Sequence, residues 1–98
     1  MVSRFDILIN VMETYPEFRE WHTMSEILNQ LEKGGHIPHY DRINGTREEY
    51  KRYMYARSKF ARTVRDNEEY GYFESRPIVS TNSMFYKSVR EYRYLGSD

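Results

Sequence analysis

The chain has no cysteine among its 98 residues. That excludes disulfides, thiolate metal sites and cysteine nucleophiles, and it leaves the fold to packing alone. Long apolar runs are missing too. The longest aliphatic stretch is Ile7-Leu8-Ile9, far short of the roughly 20 residues that cross a bilayer. Asp6, Asn10 and Glu13 break up the first 20 residues, which therefore do not read as a secretory leader; the cytoplasm is the expected compartment, with no membrane partner. Net charge is absent as well, with 15 Lys+Arg against 15 Asp+Glu. A strongly basic chain that coats any polyanion is thereby excluded.

What remains is one small domain's worth of sequence, expected over residues 1–95 with a free tail at 96–98. Aromatics make up 16% of it, including ten tyrosines, which is too aromatic for a disordered chain. The zero net charge conceals a segregation. Residues 47–65 carry seven positive side chains against two negative, a net +5, while the flanking segments are net acidic. Arginine outnumbers lysine eleven to four, and its planar fork suits phosphates and guanine edges.

Three sequence signals open helices. Ser3 with Asp6, Thr23 with Glu26 and Thr46 with Glu49 each have capping-box spacing. The first helix is expected to run to about Tyr15, where Pro16 ends it, with Phe5, Leu8, Met12 and Tyr15 on one face. Phe18 and Trp21 in the connector read as core plugs. The second helix shows Met24, Ile27, Leu28 and Leu31 at i, i+3, i+4, i+7, and Gly34 stops it at C′. Residues 34–45 hold the breakers Gly34-Gly35, Pro38 and Asn44-Gly45 and read as a loop, with room for a short strand at Ile37.

The third helix is the longest, roughly 47–68. Tyr50, Tyr53, Met54, Phe60, Ala61 and Val64 share one side, and Tyr50, Tyr53 and Tyr72 are assigned to the core. Lys51, Arg52, Tyr55, Ser58, Lys59, Arg62 and Arg65 share the other side, with Arg47 at the start. Arg57 breaks the apolar side and is expected to snorkel or to pair with a carboxylate. Asp66 to Glu69 oppose the helix dipole, so fraying is expected there. Beyond Gly71, residues 72–79 and 84–95 read as two strands of a β-hairpin, with Pro77 at an edge or bulge and Ser80–Ser83 as the turn. Tyr86, Tyr92 and Tyr94 are candidates for a dimer surface.

The chemistry of the +5 segment fits nucleic acid. Several phosphates neutralised by Lys and Arg release counterions, and Arg and hydroxyl side chains then read base edges. Ser58, between Tyr55 and Arg62 on its face, has that reach. A purely solvated or partner-facing charged face is the other reading of the same residues. Other chemistry is poorly served. His36, His39 and Asp41, with His22, lack the fixed four-ligand set of a zinc site, so no metal or cofactor is expected. Adjacent pairs such as Glu48-Glu49 diverge, and no nucleophile-elbow or P-loop motif occurs, so no enzyme is expected.

Helix, helix, long basic helix, β-hairpin: in order and size the chain resembles a winged helix-turn-helix DNA-binding domain. The resemblance implies an α+β fold, three helices followed by a C-terminal hairpin. It implies that the helix at 47–66 enters the major groove of double-stranded DNA while the hairpin acts as a wing. The binding residues it implies are Arg47, Lys51, Arg52, Tyr55, Ser58, Lys59, Arg62 and Arg65, joined at the wing tip by Thr81 and Asn82, because the tip has no Lys or Arg. A small footprint of this kind calls for a homodimer on a two-fold site. The alternative is a compact modulator, similar to effectors of phages and mobile elements, that meets an acidic protein partner with the same basic, tyrosine-rich surface.

Overall fold

A computed structural model describes residues 2–78 and 89–96. Helix α1 spans Arg4–Thr14, a 3-10 turn follows at Pro16–Arg19, strand β1 is His22–Thr23, α2 is Met24–Lys33, α3 is Arg47–Glu69, β2 is Phe73–Pro77 and β3 is Arg90–Tyr94. The fold is α+β. Among the described residues it comprises three helices and one antiparallel sheet of order β1-β3-β2.

Local chemistry explains most boundaries. The Ser3 and Thr23 hydroxyls accept the N–H of Asp6 and Glu26, and both carboxylates reach back to the cap backbone, completing two capping boxes. Thr46 makes half of this motif: its hydroxyl accepts the Glu49 N–H and donates to the Glu49 carboxylate at 3.1 Å, but that carboxylate does not reach the cap backbone. At the other ends, α2 and α3 close with the same glycine motif. Gly35 and Gly71 stand at φ 81° and 86°, the left-handed region open to glycine. The next N–H in each case, of His36 and Tyr72, reaches back to the carbonyl of Leu31 and Asn67. Gly34, expected at C′, is the cap residue at φ −79°, one position earlier. Helix α3 runs through its acidic end to Glu69.

Leu8, Met12, Ile27, Leu31, Val64, Phe73 and Tyr94 are among the residues that form the buried centre. Four expectations are corrected. No strand forms at Ile37; its side chain is buried directly after the α2 cap, where Pro38 lacks a ladder donor. The short strand lies at His22–Thr23 instead, paired with Tyr92 and Glu91 of β3. Trp21 is half-buried rather than a core plug: the guanidiniums of Arg76 and Arg93 lie 4.3 Å and 4.8 Å from its ring centre, on the sheet face where Arg76 pairs with Glu91 and Arg93 with Glu74. Tyr92 and Tyr94 point into the core and are unavailable to a dimer surface; Tyr86 lies outside the described residues. Gly96 is itself buried, with the Arg19 guanidinium against it.

Edge strand β2 runs from Phe73, opposite Tyr94, to Pro77, opposite Arg90, so the proline falls where the sheet asks nothing of its missing donor. The Ile78 N–H carries the ladder on to the Val89 carbonyl.

Candidate nucleic-acid interface

Helix α3 is buried most deeply in its second half. Its buried residues are Phe60, Ala61 and Val64, all in the second half. Tyr53 and Ala56 touch the core from its edge, and at 1.5 Å per residue the turns from Arg47 to Arg52 project about 9 Å beyond them. Tyr50, expected in the core, and Met54, expected on the apolar side, are 45% and 40% exposed: the helical stripe continues past the core beneath it. Tyr53 and Tyr72 pack against the core while remaining partly exposed.

Seven of the eight helix residues singled out by sequence (Arg47, Lys51, Arg52, Tyr55, Ser58, Arg62 and Arg65) are exposed. The eighth, Lys59, is partly covered because its ammonium lies over the Tyr55 ring, 5.2 Å from the centroid. That cation–π contact steadies Tyr55, which is still 59% exposed. Acid enters the same outward surface at its two ends. Glu48 is exposed in the first turn, and Asp66 sits 3.8 Å from Arg62. The stretch of positive charge is thus strongest from Lys51 to Lys59. Thr81 and Asn82 lie outside the described residues.

Arg57 lies on the apolar side of α3, as expected. Its guanidinium donates to Asn29 Oδ1 at 3.1 Å, lies 3.8 Å from Glu32 and packs over the Tyr53 ring. The pairing expected of a cation on an apolar side is there.

A cation that sequence reading missed comes from the sheet. Arg90 is exposed and its Nε donates to Ser75 Oγ at 3.0 Å; Ser75 in turn donates to the Glu68 carboxylate of α3. The Tyr92 hydroxyl lies in the same seam: burial and then Glu68 raise its pKa, with Arg65 and Arg90 opposing. Arg90 and Arg65 therefore flank one junction of helix and hairpin. Strand register brings them together, and a helical projection of α3 alone carries no sign of it.

The histidines are dispersed into separate local contacts. His39 Nδ1 lies 3.1 Å from Glu32, and His22 packs on Phe18 with its Nδ1 3.1 Å from the Glu20 carbonyl. Asp41 Oδ1 accepts the N–H groups of Ile43 and Asn44, and these bonds hold its carboxyl below the usual range. Among the described residues, no group of three His, Cys, Asp or Glu side chains is placed to hold a metal, and no helix is long and apolar enough to cross a membrane.

Comparison with protein-family models, with curated proteins and with solved structures finds no match to this chain.

Proposed function

We propose that this chain is a small duplex-DNA-binding protein, a transcription regulator, which lays the outward face of α3 in the major groove and the hairpin alongside as a wing. The observation that carries the reading is the first half of α3, unburied around most of its girth and positive from Lys51 to Lys59. An α-helix about 10–12 Å across fits a groove about 12 Å wide, with the outward face of α3 turned to the bases. Lys51, Arg52 and Lys59 supply phosphate charge, and Ser58 and Tyr55 supply polar reach to base edges. Arg65 and Arg90 extend the positive surface onto the base of the hairpin, where the tip itself lacks cations.

A gel-shift titration with random-sequence duplex tests this. The wild type retards the duplex, and Lys51→Glu/Arg52→Glu, with both positions exposed on α3, does not. Equal retardation by both proteins, or by neither, refutes the reading. The rival reading, an acidic protein partner on the same surface, draws on the exposed Tyr55 and its arginine neighbours as anchors. Site selection separates the two: Ser58→Ala and Tyr55→Ala alter sequence preference only if bases are being read.

A further inference from the structure

We propose that the opposite side of α3, together with the loop before it, is a self-complementary surface that pairs with a second copy of this chain. The proposal does not depend on DNA binding.

The surface has a knob and a socket side by side. The knob is Ile43, 91% exposed and set beside the concavity described below. Its turn is tightly built. Asp41 Oδ1 accepts the Ile43 N–H at 2.8 Å and the Asn44 N–H at 3.2 Å. The Gly45 N–H donates to the Asp41 carbonyl at 2.7 Å. A Cβ on Gly45 would stand 2.3 Å from that carbonyl and 2.5 Å from the Tyr40 ring, so the backbone there is closed against even alanine. Ile43 is therefore presented with little ordering cost left to association.

The socket is a surface concavity of about 430 Å³ between this loop and the first half of α3, lined by Tyr40, Arg42, Tyr50, Tyr53, Met54 and Arg57. Tyr40 meets the edge of Tyr50 at 5.1 Å and Tyr53 at 5.8 Å, so its walls are aromatic and braced. Ile43 stands on its rim: a neighbouring concavity of about 370 Å³ shares Tyr40, Arg42 and Tyr53 and adds Ile43.

A second copy is the occupant these features favour. A two-fold interface applies one patch to itself, so each protomer must carry both halves of every contact. An aliphatic knob beside a concavity walled by tyrosine and methionine, with Arg42 and Arg57 at its edges, meets that condition on one face. Charge points the same way. The outward face of α3 repels its own copy, whereas the rim here mixes Arg42 with Asp41 and is compatible with itself. Tyr, Met and Arg are also the residues enriched in interface centres.

Sedimentation equilibrium from about 1 to 100 μM, the weak end of the affinity range of interfaces of ordinary size, tests the proposal. The wild type is expected to dimerise within that range. Ile43→Asp on the knob and Met54→Asp on the socket are each expected to weaken the dimer at least tenfold with unchanged circular dichroism, while Val2→Asp, an exposed apolar residue elsewhere, leaves it intact. A wild type that stays monomeric throughout, or a dimer that survives both substitutions, overturns the proposal. Loss of DNA retardation with dimerisation intact bears only on the proposed function.

Discussion

Replacing Arg57 by alanine tests how the projecting helix is tied to the body. The side chain is 16% exposed and holds three contacts: a hydrogen bond to Asn29, an ion pair with Glu32 and the face of Tyr53. A hydrogen bond involving a charged group contributes about 1.5–3 kcal/mol, and a cation–π contact at a partly exposed site about 0.5–1 kcal/mol. The ion pair at 3.8 Å adds little. Neither partner is stranded, because Asn29 is exposed and Glu32 keeps His39. That places the cost near the lower bound, about 2 kcal/mol, or roughly 8–16 °C in Tm for a domain of this size. Thermal melts followed by circular dichroism measure it. Glu32→Gln in the same background is expected to cost less than it does alone, as contacting residues couple. A fall of less than about 3 °C, or strict additivity with Glu32→Gln, would refute this account of the tether.

Three further expectations follow from the core and its titrating groups. Burial and the 2.6 Å hydrogen bond to Glu13 push the Tyr94 hydroxyl from 10 up to about 12. Its contribution to stability is thus complete below pH 10 and is lost as pH rises towards 12, so denaturation midpoints fall across that window, less steeply in Tyr94→Phe. Hydrogen bonds from the Thr23 backbone hold Glu26 below its usual 4.5. Its contribution is present above that value and is lost as pH falls through the lower folded pKa; Thr23→Ala costs about 1 kcal/mol at neutral pH, while Glu26→Gln, which removes the titrating group, flattens the acid limb in urea titrations. Leu31→Ala, at a fully buried position, costs about 2–5 kcal/mol, a large share of the roughly 5–15 kcal/mol that holds a domain together, and denaturant melts should show it.

The helices were legible because their signals are local. Hydroxyl and carboxylate three residues apart mark a start, and a glycine past the last apolar position marks an end. What was not legible depends on partners distant in sequence. Two residues, His22 and Thr23, carry no periodicity; β3 makes them a strand. Alternation along β3 separates two faces, yet both hold long amphipathic side chains, and only the helices packed against the sheet decide that Tyr92 and Tyr94 go inward. The apolar stripe of α3 reads as one face from Tyr50 to Val64, but full burial ends at Phe60 and core contact at Tyr53, which leaves Tyr50 and Met54 largely exposed. Arg90 joins the candidate interface through strand register. The exposure of the basic face was legible at seven of its eight residues, since long cations on the free side of a packed helix have only solvent to enter.

The measurement that bears most directly on the account is fluorescence anisotropy with labelled random-sequence duplex over a salt series, wild type beside Lys59→Ala/Arg62→Ala. Each phosphate neutralised contributes a slope of about −0.9 in log K against log salt. The account predicts binding that weakens steeply with salt in the wild type, with a slope shallower by up to about two contacts' worth in the double variant. No binding near 50 mM salt, on the order of the lowest concentration at which such contacts are ordinarily compared, or an identical slope in both proteins, contradicts it.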